Sequence, residues 1–279
     1  MAYLLRLKEH RRNRTDPITP SEKLIRRSDG SLSSEEFALD TDENGFIITG
    51  VEHDPSLQSI FFVGDSFVES SLSHPQDRFV AQVARGISVN AFNTGYSGTT
   101  LLQAALMIMG KLPAVAKPGD VVFLFVPQSD ANAKPSGGYW TNNPTYSPIR
   151  PPLDVSPSRK SSFADTQVLL STIETFLRGI GIDLIIATSP YRQIDWNVDR
   201  WVRRNYLREE KFNSHFKHRS ELSDAVRGYA KFSTSKFLDL EEILGGDPSL
   251  MYDELHFNKA GQDKGAQIIL NFIKQELSV

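Results

Sequence analysis

Three side chains of this 279-residue chain have the types and the order for nucleophilic acyl chemistry: Ser66, Asp253 and His256. Ser66 ends Ile60-Phe61-Phe62-Val63-Gly64-Asp65-Ser66, an apolar run that stops abruptly at Gly-Asp-Ser. A buried strand that delivers a serine at its C-terminal end, followed by helix-compatible sequence, is one way an α/β protein presents a nucleophile. A serine hydroxyl is a weak nucleophile until a base takes its proton, and a histidine oriented by a carboxylate supplies that base. Asp253-Glu254-Leu255-His256 places both groups in one short segment near the other end of the chain. Either motif alone is weak. Together, in the order Ser, Asp, His, they point to a serine hydrolase.

Such a site needs a sheet to hold the serine and loops to bring the histidine over it. Strands are expected at 60–63, 88–92, 121–126, 182–187 and 237–240, and helices at 75–87, 101–108, 163–177, 199–212, 221–232 and 259–277. Phe79, Val80, Val83 and Ile87 recur at helical spacing, Thr99 or Thr100 suits a helix cap, and Val121 to Val126 is uninterrupted apolar sequence. Apolar strands alternating with helices predict an α/β fold: a three-layer α/β/α sandwich with a parallel, flavodoxin-like five-stranded sheet. This domain is expected over 57–279, after a polar N-terminal extension, 1–56, carrying a short strand pair. Within the extension, Asp42-Glu43-Asn44-Gly45 reads as a turn before a strand at Phe46-Ile47-Ile48. The connection 128–162 is rich in Pro, Ser and Gly and carries Tyr139, Trp140 and Tyr146. It leaves the C-terminal end of a strand, the edge where open α/β sheets bind ligands, so it reads as a substrate-covering loop.

Bulk properties mainly exclude. A formal net charge of −3 gives no global attraction to nucleic acid or to an anionic membrane. With no cysteine, disulfides, metal thiolates and a thiol nucleophile are ruled out. No apolar run is long enough to span a bilayer, and that in Met1–Lys8 is too short for a signal peptide, so a cytoplasmic location is expected. No cofactor is called for. His215 and His218 share helical spacing but lack a third metal ligand, and none of His10, His53, His74, His215 and His218 has a partner comparable to that of His256. The segment from Arg6 to Arg27 is basic and that from Asp29 to Asp54 acidic. This predicts a solvated arm, folded back on the acids or against a second subunit of a homo-oligomer. Tyr191, Arg192, Trp196, Arg200, Trp201, Arg203 and Arg204 form either a platform for a sugar or phosphate, or packing residues with a solvated basic face.

Gly64-Asp65-Ser66, the glycine of Asn93-Thr94-Gly95, and Asp253-x-x-His256 resemble the first, second and last motif blocks of the SGNH/GDSL hydrolases, over about 60–273. No Gly-x-Ser-x-Gly elbow is present, which argues against the α/β-hydrolase scaffold. The resemblance implies an acyl-Ser66 intermediate whose oxyanion is bound by the backbone N–H groups of Ser66 and Gly95. The family's third block, Gly-x-Asn-Asp, is replaced by Pro127-Gln128-Ser129-Asp130-Ala131-Asn132. By register Ser129 takes the place of the oxyanion Asn, with Gln128 or Asn132 as alternatives. Asp65, Gln128, Asn132, Tyr139 and Trp140 are the candidates for substrate contact. The layout is similar to that of members accompanying bacterial polysaccharide synthesis, which implies a glycan or small-molecule ester as substrate and removal of acetyl or another small acyl group. An O-acyltransferase using the same serine and a non-catalytic glycan-binding protein are the alternatives.

Overall fold

Apolar side chains on both faces of five strands dictate where this chain can place its core. In the computed structural model, which describes residues 4–140, 143–150 and 162–277, these strands are β1 (Ser59–Val63), β2 (Asn90–Asn93), β3 (Val121–Val126), β4 (Asp183–Thr188) and β5 (Lys236–Leu238). They form one parallel sheet in the order β2-β1-β3-β4-β5, with Phe62 beside Phe123 and Phe123 beside Ile185. Because successive side chains point to opposite faces, each strand feeds two cores. Ile60, Phe62, Phe123, Phe125, Ile185 and Ala187 pack on one face with helices α1 (Phe79–Gly86) and α5 (Lys259–Leu277). Phe61, Val63, Val122, Leu124, Leu184 and Ile186 pack on the other with α2 (Leu101–Gly110), α3 (Phe163–Gly179) and α4 (Glu209–Ala230). This is the three-layer α/β/α architecture expected. Thr100 caps α2 through a capping box with Gln103, which fixes where that helix begins.

Three expected elements differ. The helix at 75–87 is broken: a 3₁₀ turn, Pro75–Asp77, is separated from α1 by Arg78 in an extended conformation. Arg78 is 1% exposed, and its guanidinium donates to the carbonyls of Ser70 (3.2 Å) and Ala38 (2.5 Å). Burial lowers its pKa to about 10. Two nitrogens of this buried cation reach these loop carbonyls where the helix is interrupted, while Nη1 has no partner among the described residues. The helix at 199–212 likewise divides into Arg200–Asn205 and the start of α4. The connection after β3 contains a short helix, Ser129–Ala133, 3₁₀ turns at Lys134–Ser136 and Gly138–Trp140, and a strand, Ile149–Arg150, that pairs antiparallel with Leu4–Leu5. The rest of that connection, 151–161, lies outside the described residues, as does the side chain of Trp140.

Arg11, Arg12, Arg14, Lys23, Arg26 and Arg27 of the basic segment are exposed, as expected of a solvated arm, and Lys8 is the exception. Thr15–Ile18 pairs antiparallel with Phe37–Asp40, so part of the segment does fold onto the acidic stretch. Lys8 is only 7% exposed, and burial, helped by Arg6 and Arg150, lowers its pKa to about 8. The strand expected at Phe46-Ile47-Ile48 reduces to bridges from Ile47 to Thr41 and to Asn93 at the edge of β2. Among the described residues no helix is long and apolar enough to cross a membrane.

Candidate active site

β1 ends at Val63, and after Gly64 the chain turns into a single helical turn, Ser66–Glu69. Asp65 is its N-cap, accepting from the N–H of Phe67 at 3.1 Å. Ser66 is thereby fixed at the first position of a helix, at the C-terminal edge of the sheet. Its backbone N–H is one of the donors a helix start leaves without an intrahelical acceptor, and among the described residues it has no other partner.

The histidine arrives from the loop before α5. His256 Nε2 accepts from Ser66 Oγ at 2.8 Å, and its Nδ1–H donates to Asp253 Oδ2 at 2.8 Å. Asp253 Oδ1 also accepts the backbone N–H groups of Leu255 and His256, each at 2.8 Å. The carboxylate therefore shapes the loop and orients the imidazole at once. Burial works against an imidazolium here, but the charge and hydrogen bond of Asp253, with Asp65 and Glu69 farther off, raise the His256 pKa above its ordinary value. Burial also opposes the Asp253 charge, yet His256 and the two N–H groups hold that carboxyl below its usual range. Each partner stabilises the charge of the other, as a base that must become cationic during the reaction requires. The Tyr252 ring lies nearly parallel to His256, with centroids 5.5 Å apart.

The loop is braced from behind. Arg192 donates to Met251 O (3.0 Å) and to the carboxylate of Asp199 (3.1 Å), and its guanidinium lies 4.7 Å from the Trp201 ring centroid. Trp201 Nε1 donates to Arg27 O, and Trp196 Nε1 to Tyr206 O. Of the two readings of this basic and aromatic cluster, these contacts match the packing one. Glu254 accepts from His215 (2.9 Å) and Arg219 (3.3 Å). Burial opposes its charge, but these donors hold its pKa at about 2. His215 thus has a carboxylate partner, contrary to expectation.

Of the residues expected to hold an oxyanion, Gly95 and Ser129 are committed elsewhere. Ser129 gives both its N–H (3.1 Å) and its hydroxyl (3.0 Å) to Asp65 Oδ2, so it braces the nucleophile turn. Asp65, with both carboxylate oxygens engaged and 2% exposed, is a cap and not a substrate contact. Gly95 N–H donates to Asn93 Oδ1 at 3.0 Å, while Asn93 Nδ2 donates to Val68 O. A glycine is needed there because a Cβ would lie 2.3 Å from Glu69 N. Gln128 is buried, donating to Ser189 O at 3.0 Å and accepting from Arg219 at 3.1 Å. Tyr139 is buried with its hydroxyl on Asp130. Burial pushes the Asp130 carboxyl up to about 7, against the Tyr139 and Leu101 donors. Of the expected set, Asn132 remains half-buried, and its side-chain amide has no partner among the described residues.

Sequence reasoning missed Glu69 and His10. Glu69, 5% exposed, accepts from Ser97 N–H (3.2 Å) and Ser97 Oγ and pairs with His10 Nε2 at 3.2 Å. Burial opposes its charge, but His10 and Ser97 keep its pKa below the ordinary value. The only signal was a carboxylate following Phe67-Val68 in an otherwise apolar turn.

No family model and no curated protein matches the chain. Solved structures do. A carbohydrate acetylesterase family member from Sinorhizobium meliloti is 13% identical with a TM-score of 0.54, over 80% of this chain and 100% of its own. The aryl esterase of M. smegmatis is 16% identical with a TM-score of 0.53, over 78% and 99%. A GDSL-like lipase from Bacteroides thetaiotaomicron is 15% identical with a TM-score of 0.51, over 78% and 88%. The chain has the fold of these proteins.

Proposed function

We propose that the protein hydrolyses a carboxyl ester through an acyl-Ser66 intermediate. The observation that carries this reading is the unbroken line from Ser66 Oγ through His256 to Asp253, with 2.8 Å at each step. Ser66 Oγ adds to the acyl carbon as its proton passes to His256 Nε2, and the carbonyl oxygen becomes an oxyanion. Collapse breaks the bond to the alcohol oxygen, which takes the proton from His256 as it leaves. Water, deprotonated by His256, then adds to the acyl-serine, and the acid departs with Ser66 Oγ reprotonated. The Ser66 N–H is placed to meet the oxyanion. Asn132 is the candidate for a second donor: it lies three residues beyond Ser129, which donates to Asp65, on one short helix, and residues so spaced share a helix side.

The alcohol side is a carbohydrate and, on resemblance alone, the acyl group is acetyl or another small one. This rests on the motif resemblance and on the fold shared with the Sinorhizobium acetylesterase family member. Hydrolysis of p-nitrophenyl acetate and butyrate, with fluorophosphonate labelling of Ser66, tests the chemistry. Turnover and label should both be lost in Ser66→Ala. The engaged N–H of Gly95 and the inward-turned Ser129 are the observations that favour a non-catalytic glycan-binding protein. Parent protein that binds glycan but neither turns over ester nor accepts the label would establish it.

A further inference from the structure

Ser66 and His256 open onto a cavity of about 250 Å³ whose other walls include Leu24, Phe67, Leu72 and Tyr252. A second cavity, of about 270 Å³, shares Leu72, Ser73, Tyr252 and Phe257 with the first and continues to Leu32 and Phe37. Most polar side chains lining the first cavity are engaged elsewhere, Ser97 with Glu69 among them, while Ser71 has no side-chain partner among the described residues. Ser70 Oγ donates to Phe67 O at 2.8 Å, and Gln262 Nε2 donates to Ser70 Oγ (3.1 Å) and Ser73 Oγ (3.2 Å). Gln262 Oε1 is taken by the Phe79 N–H at 2.8 Å. A sugar entering here would find few free donors or acceptors, whereas a hydrocarbon chain would meet leucine and aromatic carbon. A water molecule occupies about 30 Å³ of liquid and a methylene is of similar size, so the first cavity has room for about eight such groups.

We infer that this cavity receives the acyl chain of the ester, that its preferred occupant is a medium chain of about six to eight carbons, and that the N-terminal segment sets this length through Leu24, Leu32 and Phe37. The inference rests on the acyl-Ser66 reading and revises it on the acyl side, where acetyl would leave most of the space empty.

The test is the kcat/KM series for p-nitrophenyl acetate, butyrate, hexanoate and octanoate, measured on the full chain. A methylene moved out of water into such a site is worth roughly threefold, so the hexanoate-to-acetate ratio should exceed ten. Leu24→Trp, at a half-buried position on the short helix Glu22–Arg27, should lower that ratio tenfold or more by filling the mouth. Leu72→Trp, at a residue that lines both cavities, should do the same. The ratio is read within one preparation, so partial misfolding of either variant lowers both rates and leaves it intact. Acetate as the best substrate of the parent, or an unchanged ratio in both tryptophan variants, would overturn the inference while leaving the hydrolase standing. No turnover of any ester together with an unlabelled Ser66 would remove the hydrolase reading, and the acyl cavity with it.

Discussion

The two sides of Ser66 are built by different means. On the proton-relay side, one loop carries both Asp253 and His256, and Asp253 accepts the loop's own N–H groups as well as the imidazole. That side is assembled locally. On the oxyanion side, the contributing groups come from the ends of three separate strands, and two of those expected are already committed: Gly95 N–H to Asn93, and Ser129 to Asp65. A relay can be specified by side-chain types within four residues. A donor set depends on where several backbone turns lead, and one changed partner redirects it.

The largest effect expected is on the relay. Ser66→Ala or His256→Ala should lower kcat by about a millionfold, with little change in the thermal midpoint, read by ester hydrolysis and by melting. Asp253→Asn should come next, at about ten-thousandfold, and it carries a pH signature. His256 must be neutral to act as base, so the parent's rate rises with pH through a pKa above the ordinary histidine value. Asp253 is what raises that pKa against burial. In Asp253→Asn burial is opposed only by the more distant Asp65 and Glu69, and the acidic limb of kcat/KM should move to lower pH. A limb that stays in place would mean that another group titrates.

The donor side should respond less. Asn132→Ala should cost on the order of a hundredfold in kcat with KM nearly unchanged, as expected of a donor used only in the transition state. Gly95→Ala should cost a similar factor for a different reason. Its Cβ would overlap the backbone of Val68 and Glu69 and displace the nucleophile turn, so this variant should also melt earlier. If Gly95→Ala alone lost activity, the single Ser66 N–H would be the working donor.

What the sequence shows of this molecule follows the same division. The sheet was legible because Val121–Val126 and Ile60–Val63 are apolar on both faces, and a parallel sheet between helix layers is what buries both. The three relay residues were legible because their types and order have one joint chemical use. The roles of Asp65 and Ser129 were not. Nothing in Gly64-Asp65-Ser66 or Gln128-Ser129 says that the carboxylate of one accepts both donors of the other across 64 residues. Likewise Arg78 looked like one more polar position of a helix, and nothing in its neighbours says that it is buried against Ser70 and Ala38 where the helix breaks.

The smallest effect concerns Glu69, which touches neither half of the chemistry directly yet links the nucleophile turn, the Gly95–Ser97 turn and His10. Glu69→Gln keeps the shape and an acceptor for Ser97 but removes the charge that His10 faces. It should lower kcat by about threefold to tenfold, since displacements well under an ångström at a nucleophile are enough for that. It should also destabilise the fold by about 1–3 kcal/mol, because a buried hydrogen-bonded network is left partly unsatisfied. Comparison with Asn132→Ala then decides what the N-terminal segment contributes. A loss approaching that of Asn132→Ala, matched by His10→Ala, would mean that the segment positions the donor side and that the site is incomplete without it. A change in melting temperature with kcat intact would make His10 a clasp, and would leave the shape of the cavity at Leu24 as the route by which the segment reaches the chemistry.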